Sequence, residues 1–149
     1  MISFDANLLL YASNTASPFY AKAKEFFEAL SPRETVIVSE LVLTEFYTLL
    51  RNPAVLTHPL NPAAAAAVIQ AYRRHPRWLL VGFATDSVAL HQELWQLASQ
   101  ANFARRRIYD TRLALTLRHH GVTEFATANV KDFQAFGFKK VWNPLMGNL

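Results

Sequence analysis

Short runs of strand character alternate with helical runs from one end of the chain to the other, and this alternation constrains the fold most. Residues 1–4 (MISF), 34–38 (ETVIV), 78–83 (WLLVGF) and 124–127 (EFAT) read as strands, with 139–142 (KKVW) as a last edge strand. Helical runs lie between them at 6–13, 18–30, 40–51, 63–75, 86–101, 111–120 and 130–136. Ser39 can cap the run at 40–51, Asn52-Pro53 stops it, and Gly121 closes the run at 111–120. Strand–helix alternation implies an α/β fold with a mostly parallel sheet covered on both faces. Ligands of such sheets bind outside the carboxyl ends of the strands.

At 149 residues, 52% hydrophobic and 17% charged, the chain is expected to form a single domain, 1–149, with a real core. Its apolar runs are too short to span a membrane, and its N-terminus lacks the pattern of a signal peptide. There is no cysteine, which removes thiolate metal ligands and fits a cytoplasmic protein. The net charge of +4 favours polyanionic partners without naming one. The arginines cluster at 73–77 and 105–107, then at Arg112 and Arg118; a solvated helix surface explains such clusters equally well.

The acids carry more information. Asp5 interrupts an apolar stretch at the end of the first strand, where an unpaired carboxylate is costly. On the run 40–51, Glu45 falls three after Val42 and four before Leu49, on the expected apolar arc, whereas Glu40 points toward water. Asp110 precedes the stripe Leu113, Ala114, Leu117. Taken singly, Asp5 and Asp110 read as helix N-caps. Taken together, three carboxylates at one sheet edge are tolerated when a cation sits among them. Oxygen ligands alone suit magnesium or manganese rather than zinc. In TANVKDF, Asn129 can cap the next helix and Asp132 follows three residues on; either can approach the metal. Thr127 is placed to hydrogen-bond a ligating carboxylate, and Asn7 and Ser39 are expected to give similar support.

Other chemistries fit less well. His91-Gln92-Glu93 lacks the cysteines of a zinc deaminase, and His119 and His120 are adjacent rather than one turn apart. No nucleophile elbow or phosphate loop occurs, and position 7 is Asn where an aspartyl phosphatase needs Asp. Phe26, Phe27, Phe46 and Trp95 follow core periodicity and are expected to pack inside.

The ordered segments FDANLLLYA, SELVLTEF, RIYDTRLALTLRHHGV and FATANVKDF resemble those of PIN-domain ribonucleases, specifically VapC-type toxins of toxin–antitoxin pairs. The resemblance runs from Asp5 to the closing FGFKKVWNPL. It implies a three-layer α/β/α sandwich and a magnesium-dependent endoribonuclease. Metal ligands would be Asp5, Glu45 and Asp110, with a fourth from Asp132 or Asn129; family members usually carry an acid where this chain has Asn129. It further implies an RNA substrate, a small VapB-type antitoxin and a homodimer. Arg105, Arg106, Arg107 and Arg112 are then candidates for RNA phosphate contacts. A PIN nuclease of RNA processing or structured DNA, and a non-catalytic basic RNA-binding module, are the rival readings.

Overall fold

The computed structural model describes residues 1–146; the expected domain limit at 149 lies outside the described residues. Among the described residues five strands form, β1 (Ile2–Phe4), β2 (Ile37–Ser39), β3 (Leu79–Val81), β4 (Glu124–Ala126) and β5 (Lys140–Trp142). Among the same residues seven α-helices accompany them: α1 (Ala6–Ser13), α2 (Tyr20–Leu30), α3 (Glu40–Leu50), α4 (Pro62–Arg73), α5 (Ser87–Ala98), α6 (Arg107–His119) and α7 (Val130–Phe133). The run expected as one helix at 130–136 is α7 followed by a 3-10 turn, Gln134–Phe136, that Gly137 ends at a φ of 83°.

All strand pairings are parallel. β4 lies between β1 and β5, and β2 pairs with β3. The two groups join through a single bridge between Ile2 and Val36. Next to it the Ser3 hydroxyl donates to the Ile37 carbonyl at 2.8 Å, a side chain doing the work of a ladder rung. The resulting order is β3-β2-β1-β4-β5, so the winding reverses between β1 and β4. Right-handed crossovers then put α1–α4 on one face and α5–α7 on the other. The packing agrees: α1 meets α2 and α3, α3 meets α4, and α6 meets both α5 and α7.

Burial follows from composition along each element. Phe4, Ile37, Val38, Phe125 and Ala126 are buried in the sheet, under Leu8, Leu9, Val42, Phe46, Ala114 and Leu117 of the helices. Phe4 meets Phe27 edge-on at 5.0 Å, and Phe27 and Phe46 are core residues as expected. A smaller cluster of Leu90, Leu94 and Leu115 holds α5 on α6. Trp95 does not pack: it is 61% exposed. It lies on the surface seam between α5 and α6, beside Tyr109 and Arg112, which corrects the expectation that it belongs to the core.

The other main difference lies before α6. The sequence reading starts this helix at residue 111 with Asp110 as its cap, but the helix starts at Arg107. A turn closed by the Arg107 amide on the Ala104 carbonyl (3.0 Å) winds the chain into helix early. Asp110 therefore lies in the first turn, and its N-cap reading is lost. Among the described residues, no helix is long and apolar enough to cross a membrane.

Candidate active site

The reversal between β1 and β4 is where an open parallel sheet leaves a crevice beyond its strand ends. Asp5 follows β1 there and is 6% exposed. One oxygen, Oδ1, accepts the Ala6 amide at 2.8 Å, so the cap role expected of it is real. The other, Oδ2, accepts the Thr127 hydroxyl at 2.7 Å and approaches Asn7 Nδ2 at 3.5 Å. Asn7 Oδ1 in turn accepts the Ala128 amide at 3.4 Å, which ties the ends of β1 and β4 together. The structure thus places Thr127 and Asn7 against Asp5. Ser39 does not: its hydroxyl accepts the Leu41 amide at 3.1 Å as the cap of α3.

Asn129 is corrected as well. Its side chain makes no cap bond; its own amide donates to Thr127 Oγ1 at 3.0 Å, so the threonine hydroxyl organises this turn. The Asp132 amide donates to the Asn129 carbonyl at 3.0 Å. Both side chains are exposed and line a depression of about 460 Å³ with Lys131 and Asn143.

Glu45 and Asp110 face each other across a separate cleft of about 360 Å³, lined also by Leu41, Thr44, Thr48 and Arg112. The buried stripe of α3 is Val42, Leu43, Phe46 and Leu50. Glu45 stands on the flank of that stripe and is solvent-accessible, not turned into the core as the expected arc required. Glu40 lies elsewhere on α3 and pairs with Arg73 at 2.7 Å.

The carboxylates feel one another. Burial, then the charges of Asp5 and Asp110, push Glu45 up to about 7. Burial, then Asp5 and Asp132, push Asp110 up to about 6, against the pull of Arg107. Burial raises Asp5 too, with Asp132 adding to it and the hydrogen bonds from Thr127 and Ala6 opposing. Four acids therefore share one electrostatic field that a cation would relieve. Among the described residues, no three Asp, Glu, His or Cys side chains stand close enough to grip one ion directly. An open, oxygen-only set still suits magnesium, which keeps several waters and takes one or two carboxylates together with substrate phosphate.

Of the candidate arginines, Arg105, Arg106 and Arg112 are exposed, and Arg112 lines the cleft. Arg107 is half-buried, its guanidinium 5.1 Å from the Phe136 ring centre. Tyr109 also lines the cleft, and the sequence reading missed it. A helix begun at Arg107 puts Tyr109 outside the stripe Leu113, Ala114, Leu117, so the correct start would have exposed it.

The PIN domain model matches residues 2–139. Ribonuclease VapC24 of Mycobacterium tuberculosis is 49% identical over 145 residues, covering 97% of this chain and 97% of that protein. Among solved structures, M. tuberculosis VapC20, a sarcin–ricin-loop cleaving toxin, superposes with a TM-score of 0.68 at 22% identity. That match covers 93% of this chain and 96% of VapC20. VapBC2 from Rickettsia felis, bound to a DNA fragment from its promoter, gives 0.65 at 18% identity, over 96% and 98% of the two chains. The carboxylate-edged crevice and this sequence kinship lead to one assignment: the chain belongs to the PIN-domain family, as a VapC-type ribonuclease.

Proposed function

We propose that the chain is a single-domain, magnesium- or manganese-dependent endoribonuclease of the cytoplasm, the toxin of a VapBC-type pair. The facing of Glu45 and Asp110 across one cleft, with the buried Asp5 held at the neighbouring strand end, carries this reading, and the charges of the three raise one another's pKa. One or two of Asp5, Glu45 and Asp110 would hold the ion directly and the rest through its waters, with Asp132 contributing charge from the adjoining depression. When bound, the ion supplies charge to the scissile phosphate and lowers the pKa of water. The protein's part is to pre-position oxygens. Thr127 and the Ala6 amide fix both oxygens of Asp5. Glu45, whose carboxyl burial and the charges of Asp5 and Asp110 raise to about 7 without an ion, would release its proton as the cation binds and then orient water with its carboxylate. Arg112, at the cleft, pairs with an RNA phosphate. A small VapB-type antitoxin is the proposed inhibitor and a homodimer the proposed assembly; the Rickettsia felis neighbour is itself a VapBC2 structure.

The test is cleavage of a single-stranded RNA oligomer in magnesium, manganese or chelator. Cleavage should require the metal and vanish in Glu45→Gln. Glu40→Gln should cleave normally, losing only a partly exposed ion pair worth at most about 1 kcal/mol. Full activity after exhaustive chelation, or an active Glu45→Gln, overturns the mechanism.

A further inference from the structure

One face of α3 is more polar than the carboxylate chemistry requires. Leu41, Thr44, Glu45 and Thr48 follow one another at helical spacing and together form the α3 wall of the cleft. Thr44 and Thr48 are exposed and flank Glu45, one residue before it and three after. Their hydroxyl protons are already committed. Thr44 Oγ1 donates to the Glu40 carbonyl at 2.7 Å, and Thr48 Oγ1 donates to the Glu45 carbonyl at 2.7 Å. A carbonyl only accepts, so the direction of both bonds is fixed. A hydroxyl has one proton and two lone pairs, so each threonine offers the cleft acceptor capacity alone. The partner such a wall suits is a hydrogen-bond donor.

A nucleic acid strand brings few donors to this place. Phosphate oxygens only accept, so they are drawn to Arg112 on the opposite wall and repelled by the threonine lone pairs. Base amino groups donate, but they stand beyond the sugar as seen from the phosphate. Within a chain the sugar has one donor, the ribose 2′-hydroxyl, and this group separates RNA from DNA. A ribose is bonded directly to the phosphate it carries. One turn of α3 spans about 5.4 Å, so a hydroxyl within a turn of Glu45 lies in reach of a sugar beside the scissile phosphate.

We propose that Thr44 and Thr48 accept hydrogen bonds from the ribose 2′-hydroxyls that flank the scissile phosphate, and so make the cleft select RNA over DNA. This inference rests on the ribonuclease reading and adds to it the side chains that read the sugar. Glu45 and Asp110 are left to the cation, Arg112 to the phosphate, and the two threonines to the ribose.

The experiment measures binding of a labelled single-stranded RNA to the full chain in chelator, so that cleavage does not intervene. The strand is used as RNA, as DNA, and as RNA with one sugar at a time made 2′-deoxy or 2′-fluoro. Fluorine keeps an RNA-like sugar pucker but cannot donate, which separates a lost hydrogen bond from a changed sugar shape. In the parent, either change at one or two positions should weaken binding roughly 2- to 12-fold, the net worth of one hydrogen bond. Thr44→Val and Thr48→Val keep the side-chain shape and a similar helix propensity. Each should lower the ratio of RNA to DNA affinity by a similar factor and erase the penalty at one sensitive sugar. Thr44→Ser and Thr48→Ser, which restore the hydroxyl, should bring both back. The proposal is overturned if no sugar position is sensitive, or if 2′-fluoro strands bind as RNA does. It is also overturned if the valine variants keep the parent's penalty at every position, or if the parent binds no RNA. Magnesium-dependent cleavage with no sensitive sugar would leave the nuclease and remove the sugar readers. Sugar-sensitive binding that the valine variants lose, without magnesium-dependent cleavage, would keep the readers and remove the catalytic reading.

Discussion

Two carboxylates hold their protons more tightly in the folded protein than free in water, and stability should register it. Glu45 rises from 4.5 to about 7, and Asp110 from 3.8 to about 6. Between each pair of values the folded state binds more protons than the unfolded chain, so stability falls as pH rises through those windows. Without metal, the melting temperature should be higher near about pH 5 than near about pH 8. Asp110→Asn should flatten that slope and melt above the parent at neutral pH, yet gain less from added magnesium. Melts across pH, with and without magnesium, check this; an Asp110→Asn protein less stable than the metal-free parent contradicts it. The neighbouring pair separates charge from scaffolding. Asp132→Asn should raise the magnesium concentration needed for cleavage, because its charge reaches both Asp5 and Asp110. Asn129→Ala makes no cap to lose and should stay within about 0.5 kcal/mol of the parent in denaturant unfolding. The opposite pattern would make Asn129 the ligand.

At the level of elements, the position of Glu45 depends on how α3 leaves β2. Ser39 is the last residue of the strand and the cap of the helix, fully buried, so strand and helix meet without a loop between them. Ser39→Ala should cost about 1 kcal/mol for the cap, read by urea unfolding. Because the start of α3 aims Glu45, half-maximal magnesium for cleavage should also rise. A variant that loses stability while keeping its magnesium requirement would show that packing of Val42, Leu43 and Phe46 aims the helix without the cap. The early start of α6 matters in the same way: it brings Tyr109, Asp110 and Arg112 onto one wall of the cleft.

For the whole molecule, charge is segregated by use. Arg73 and Arg77 are tied to Glu40 and Glu34, so the cluster 73–77 is largely spent within the fold. Arg105, Arg106 and Arg112 form no ion pair among the described residues. RNA affinity should therefore fall with salt. Replacing Arg112 by Ala should lower the slope of log affinity against log salt by roughly 0.7, the value for one phosphate contact on a single strand. Arg77→Ala should leave the slope unchanged. Equal slopes for parent and Arg112→Ala would remove Arg112 from the RNA path.

Local pattern decided much of this protein. Strand–helix alternation set a parallel sheet, because a chain returning in the same direction must cross over through a helix. Four ordered motifs set the family, and the scarcity of acids singled out Asp5, Glu45, Asp110 and Asp132. These are properties of neighbours in sequence, so they are legible there. What periodicity does not contain is which part of a helix's apolar arc its partners cover. Glu45 lies on the flank of α3, and Trp95 points outward from α5, because only packing against distant elements decides where burial ends. The strand order β3-β2-β1-β4-β5 is likewise non-local. That order brings Asp5 to Thr127, 122 positions away, and turns scattered acids into one electrostatic site.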